Sequence, residues 1–383
     1  MKIAFISTND GVPWGGSEEL WYQTAKLLRE TGIEVGAAVA KWTPCPTHIQ
    51  DLIDSGVLIH YKQQNKSPAK RSLPQRIFDK FNRTLGIKKG FPEKELGFLE
   101  SFQPDLVVIS QGNLPQGRNW KQLCLKHSIP YVSLVQLVGE FHWIKDEQAD
   151  ILSELYHQAQ CNFFVSQKNI TLAEAQLGIR FSNTKIVRNP FKVPYDIDIP
   201  YPSPQPDYKL ACVASLTTIH KGQDILFEIL RQEKWRSRPI QISLFGKGVN
   251  ERVLKRLKEL WQLDMVKFEG FTEDISTIWK EHHALLMASR MEGLPLAVVE
   301  AMLCKRVAIV PNVGGNSEII EDNVNGFLAK SATVESLDEA MERAWNQRFE
   351  WQKMGELAYQ EVQKTIPSNP AQTFAESLLS LTQ

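Results

Sequence analysis

Short apolar runs separated by amphipathic helical stretches govern what this chain can fold into, and the series runs twice. In the first half, "KIAFIS", "EVGAAVA", "VLIHY", "DLVVIS", "YVSLVQ" and "CNFFVS" alternate with segments such as "SEELWYQTAKLLRE". Strands that are apolar almost without alternation are buried on both faces, as in a parallel sheet covered by its own crossover helices. The pattern predicts a doubly wound α/β domain over residues 1–190. It restarts with "YKLACVASL", "IQISLFG", "VKFEGF", "ALLMAS", "VAIVPN" and "GFLAK", which predict a second, Rossmann-like α/β domain over residues 209–366.

Between them, Asn189 to Tyr208 contains six of the chain's 20 prolines, and residues 191–208 read as the linker. The tail 367–383 is an amphipathic helix set off by Pro367 and Pro370, able to cross back onto the first domain. Two such sheets present the carboxyl ends of their strands to a shared cleft, where ligands of open α/β sheets bind.

Charge narrows the partners. Lys and Arg balance Asp and Glu at 44 each, which argues against a general nucleic-acid binder. The five cysteines form neither a C-x-x-C pair nor an even framework, as expected of free thiols in a reducing cytosol. No stretch approaches the roughly 20 apolar residues of a spanning helix, and "MKIAFISTNDG" reads as a buried strand instead of a signal peptide, so a cytoplasmic location is expected.

The densest chemistry lies in "SRMEGLPLAVVEAM", Ser289 to Met302. Pro295 is expected as the first helical residue, which opens a helix N-terminus at Gly293–Leu294 with free N–H groups suited to a phosphate. Glu292 precedes that terminus. Glu300 lies five residues beyond Pro295, about 7.5 Å along the axis, with its side chain leaning back toward the start. A diphosphate flanked by two hydroxyl-binding carboxylates describes a nucleotide sugar; the bland alternative is a loop glutamate and a solvated helix glutamate. In "NDGVPWGGSEELW", Gly15 and Gly16 would let backbone approach a phosphate, although the dinucleotide fingerprint is absent.

The segment "SRMEGLPLAVVEAMLCKRVAIVPNVGGNSEIIEDNVNGFLA" resembles the signature of retaining, GT-B-fold glycosyltransferases of the family 4 type. "WGGSEELW" and "HKGQD" extend the resemblance over most of the chain. It implies a metal-independent hexosyltransferase of polysaccharide biosynthesis type, with no cofactor beyond the nucleoside-diphosphate sugar. A UDP-sugar is favoured over a GDP-sugar, and the acceptor would be a hydroxyl of a glycan or lipid-linked glycan.

By position, the resemblance implies that Glu292 contacts the donor sugar and Glu300 the ribose. Backbone groups around Leu294, Leu296 and Ala297 would meet the diphosphate, and Lys221 would be the phosphate lysine. Gly246 with Gly248, and Phe271 with Thr272, would lie near the base. Members usually carry an arginine where "VASLTTIHKG" has Ser215, so His220 or Arg290 is expected to supply part of that charge. A histidine common after the strand "YVSLVQ" is replaced by Gln136, with His142 six residues on, and the sequence leaves open which of the two faces the donor.

Asp196-Ile-Asp198 spells a metal-binding Asp-x-Asp but falls in the proline-rich linker, so no metal role is expected. Lys62 to Lys94 carries ten basic against two acidic residues and reads as a contact with anionic membrane at the inner face, as a site for an anionic acceptor, or as a solvated loop. A non-catalytic relative that binds nucleotide or sugar without turnover is the alternative function.

Overall fold

The computed structural model describes residues 1–62, 93–203 and 207–382. Among them, β1 (Lys2–Ser7), β2 (Glu34–Val39), β3 (Leu58–Tyr61), β4 (Leu106–Gln111), β5 (Tyr131–Val135), β6 (Cys161–Phe164) and β7 (Thr184–Ile186) form one parallel sheet in the order β3-β2-β1-β4-β5-β6-β7. A second parallel sheet contains β8 (Tyr208–Val213), β9 (Ile240–Phe245), β10 (Val266–Gly270), β11 (Ala284–Leu286), β12 (Val307–Pro311) and β13 (Phe327–Ala329), in the order β10-β9-β8-β11-β12-β13. The fold is therefore two doubly wound domains.

The central strands are the near-continuous apolar runs because both of their faces are covered: β4, β5 and β6 are buried at every position. In each sheet the chain winds outward from its first strand and then returns to that strand's other side. The order therefore reverses between β1 and β4, and again between β8 and β11. Successive crossovers leave on opposite faces at these points, which opens a crevice at the carboxyl ends of the strands.

The proline-rich stretch is packed, not free. Val193 and Ile199 are buried in a core they share with β11 and β12, and the Tyr195 hydroxyl donates to the carbonyls of Gln363 and Ile366, both at 3.0 Å. The chain thus passes between the domains twice in adjacent positions. Beyond Ile366, the helix Pro370–Leu379 lies on the first domain, with Phe374 edge-on to Phe163 at 5.0 Å and Thr24 Oγ1 donating to the Ala371 carbonyl.

Candidate active site

β8 and β11 are neighbours, so the loops leaving them lie side by side. Lys221 ends the short helix Thr218–Lys221 on the first loop, Glu292 sits on the second, and Lys221 Nζ lies 2.6 Å from Glu292 Oε1. Glycine makes this approach feasible. Gly222 has φ +65°, and a Cβ there would stand 1.9 Å from the Ala288 carbonyl oxygen. Gly222→Ala is therefore expected to cost about 3 kcal/mol or more, because left-handed strain adds to a backbone clash. A urea melt with a lowered midpoint and unchanged slope is the expected result.

Arg290 braces the same two loops. Its N–H donates to the His220 carbonyl at 2.8 Å, and its guanidinium grips Asp224 through two bonds of 2.8 and 2.7 Å while a further bond reaches the Thr218 carbonyl. That fork is satisfied by a carboxylate, so Arg290 acts on the site through the turn that carries Lys221. His220 is held below the usual histidine range by desolvation, then by the charges of Lys221 and His142, and is neutral at pH 7. Neither residue, as placed here, brings a free charge to replace the arginine absent at Ser215. Ser215 itself is exposed, its carbonyl accepting from the Gln223 amide at 2.8 Å.

Glu292 is almost fully buried, and its loop is held from the other domain. Asn169 Nδ2 reaches the Glu292 carbonyl at 3.4 Å, while Asn169 Oδ1 accepts the Val138 N–H at 2.7 Å. Gly293 fits only without a side chain, since a Cβ would lie 2.2 Å from the Gln136 carbonyl oxygen. Nothing in the sequence links Asn169 to Glu292, which lies 123 positions away.

The expectation for Pro295 needs a correction. It is the N-cap, extended at φ −69° and ψ 125°, and the helix runs Leu296–Leu303. The Pro295 carbonyl already accepts from Val298 at 3.1 Å, so the Leu296 and Ala297 N–H groups are the ones that precede the first intrahelical bond. From the first domain, Gly16 lies opposite: a Cβ there would meet Leu296 Cδ1 at 3.5 Å. Gly15 is the extended residue that starts the Gly16–Glu18 turn.

Glu300 is buried, and its Oε1 accepts the backbone N–H of Lys192 at 2.9 Å. Burial pushes its carboxyl up to about 7; the Lys192 N–H and charge oppose this, and the charge of Glu19 adds to it. Glu19 belongs to the first domain. Its Oε1 takes the Trp14 indole N–H at 3.0 Å and lies 3.9 Å from Lys192 Nζ, so Glu19 and Lys192 stand beside Glu300 in the cleft, a grouping that no spacing in the sequence signals.

The remaining candidates divide. Gln136 is buried with its Oε1 taken by Asn189 Nδ2 at 2.7 Å, whereas His142 is exposed and within electrostatic reach of His220. Gly246, Phe271 and Thr272 lie together at an outer rim: Gly246 N–H donates to the Gly270 carbonyl at 2.7 Å, Phe271 is exposed, and Thr272 Oγ1 bonds the Asp274 carbonyl at 3.4 Å. A Cβ on Gly246 would stand 2.0 Å from the Ala214 carbonyl oxygen, a packing reason for that glycine that needs no ligand. Asp198 lies 3.5 Å from Lys305. The basic segment 62–94 falls almost wholly outside the described residues; of Lys62, Nζ pairs with Asp10 at 2.6 Å.

Residues 197–361 match the family model for glycosyl transferases group 1. The match covers most of the second domain and less than half of the chain. Curated relatives are similar over part of their length: an uncharacterized glycosyltransferase of Haemophilus influenzae is 27% identical over 180 residues, 44% of this chain and 49% of the relative. Another from Methanocaldococcus jannaschii is 27% identical over 133 residues, 35% of this chain and 37% of the relative. The chain thus spans less than half the length of these two relatives. Among solved structures, Anabaena Alr3699/HepE in complex with UDP-glucose superposes with a TM-score of 0.72 at 19% identity, over 99% of this chain and 100% of that one. At that identity the likeness carries the two-domain GT-B fold. The matched residues include Lys221, Arg290, Glu292 and Glu300, so the site just described lies mostly within them. Among the described residues, no helix is long and apolar enough to cross a membrane.

Proposed function

We propose that this chain transfers a sugar from a nucleoside-diphosphate sugar, a UDP-sugar ahead of a GDP-sugar, to a hydroxyl acceptor with retention of anomeric configuration. The observation that carries the reading is the Lys221–Glu292 pair beside the start of the Leu296–Leu303 helix, with Gly16 opposite. A diphosphate there would take hydrogen bonds from the Leu296 and Ala297 N–H groups and favour the positive end of the helix. Lys221 would exchange Glu292 for a phosphate oxygen, freeing Glu292 to accept from the donor sugar's hydroxyls. Glu300 would accept from the ribose.

In this mechanism the acceptor oxygen forms its bond to the anomeric carbon on the face from which the diphosphate departs. The carbon–oxygen bond to the phosphate breaks as that happens, and the acceptor proton passes to the departing phosphate oxygen. Lys221 and the helix terminus neutralise the charge that develops, which is most effective when they are preorganised in a closed site. Glu292 orients the sugar and forms no covalent bond. Support for a uridine donor comes from the fold shared with the UDP-glucose complex.

Because a lysine and a helix terminus do this work, the reaction is expected to need no metal. Donor and acceptor panels assayed in EDTA, with the product's anomeric configuration read by NMR, test both points. Inverted product, or activity that returns only with magnesium or manganese, would contradict the proposal. Ser215 favours a second reading, a binding-only relative, which donor binding without turnover would support. A cytoplasmic setting and glycan synthesis complete the proposal.

A further inference from the structure

The described structure holds two large aromatic side chains close to the catalytic pair that pack into no core. Phe141 is 70% exposed and Trp143 is 67% exposed, on either side of His142. Exposed aromatics scattered singly need no explanation, but two on one turn that packs against the loop carrying Glu292 make a candidate binding surface. The turn is held firmly. The Gly139 carbonyl accepts both the His142 N–H at 3.2 Å and the buried Gln176 amide at 2.8 Å, and the Val138 N–H is fixed by Asn169. It also abuts the second domain beside the proposed sugar position: a Cβ on Gly139 would meet Met291 Sδ at 3.0 Å, one residue before Glu292.

Resting on the glycosyltransferase reading, we infer that the Phe141–Trp143 turn is the acceptor platform, and that it takes a neutral or amino saccharide whose apolar ring face stacks on these two side chains. A pyranose offers a flat face of C–H groups with hydroxyls at its edge. It can thus bury area on an aromatic ring while directing one hydroxyl toward the sugar held by Glu292. The charge around the turn selects among acceptors. Residues 140–150 carry Glu140, Asp146, Glu147 and Asp150 against Lys145 alone, and these five are exposed. Asp146 and Glu147 also favour the start of the Asp146–His157 helix, and both remain exposed. A phosphate-rich lipid surface or a polyanionic glycan meets repulsion here, effective over roughly the 8 Å Debye length at physiological salt.

The test uses the full chain saturated with UDP on an array of neutral, amino and acidic oligosaccharides, beside neutral and anionic phospholipid vesicles. The wild type is compared with Phe141→Ala/Trp143→Ala and with the conservative Trp143→Phe. Binding to neutral or amino saccharides is expected, reduced at least tenfold in the double alanine variant and largely retained in Trp143→Phe, with UDP affinity within twofold throughout. Binding to no saccharide, binding confined to acidic saccharides or to vesicles, or binding unchanged in the double variant would overturn the inference. Failure of UDP, GDP and ADP alike to bind the wild type would instead remove the glycosyltransferase reading, and this inference with it.

Discussion

Lys221→Ala is expected to lower kcat/KM by about 10²–10³, the usual loss when one preorganised donor to a developing anion is removed. Its Nζ is the cation in direct contact with Glu292, and His220 is neutral at pH 7 while Arg290 is engaged by Asp224. The same substitution strands Glu292, 8% exposed, without its ion-pair partner, so stability falls by about 1–3 kcal/mol. Lys221→Ala/Glu292→Gln separates the two effects. The melting temperature is expected to recover in the double variant because the buried charge is gone, while turnover stays at the level of the single variant or below. Recovery of turnover along with stability would mean that Lys221 serves packing alone.

Glu300→Gln is expected to raise stability at pH 8 while weakening ribose recognition, since an amide oxygen still accepts but without the charge. The folded protein holds the Glu300 proton up to about pH 7, whereas the unfolded chain releases it near the ordinary glutamate value of 4.5. Between these values the folded state binds more protons, so stability falls as pH rises, and the full cost is present above about pH 7. For a group this buried, the difference is roughly 3 kcal/mol, which Glu300→Gln removes at pH 8 and leaves unaltered near pH 4. Donor binding has the opposite sign, because an ionised carboxylate accepts the ribose hydroxyl bonds more strongly than the protonated acid does. UDP affinity in the wild type is expected to rise about tenfold from pH 6 to pH 8 beyond any change seen in Glu300→Gln, which retains the titration of UDP's own phosphate. Equal slopes in the two proteins would exclude Glu300 from the nucleotide site.

The architecture was readable because burial on both faces leaves a mark in composition. "DLVVIS" and "YVSLVQ" overlap β4 and β5, and "LACV" lies in β8. β7 left no such mark: Thr184–Ile186 is a three-residue, mostly exposed strand at the sheet edge, and its one apolar residue, Ile186, is itself exposed, which does not distinguish it from a loop. The site divides in the same way. Glu292 and Glu300 stand out by spacing on one continuous segment, but the spacing misses how deeply Glu300 is buried, since Ala297 to Leu303 is buried all round. The Lys221–Glu292 pair spans 71 positions and depends on β8 lying next to β11 and on the conformation of Gly222. Nearness in sequence suggested Arg290 for the missing phosphate charge. In three dimensions Asp224 offers its fork a bidentate partner, and the charge is taken up there.

The measurement that bears most directly on the central claim is a calorimetric titration of the purified chain with UDP, GDP and ADP in excess EDTA, run beside Lys221→Ala. The account predicts that UDP binds without metal and that its affinity falls at least tenfold in the variant. Absence of binding by all three diphosphates, or UDP binding that Lys221→Ala leaves unchanged, would contradict a nucleotide-sugar site at the start of the Leu296–Leu303 helix.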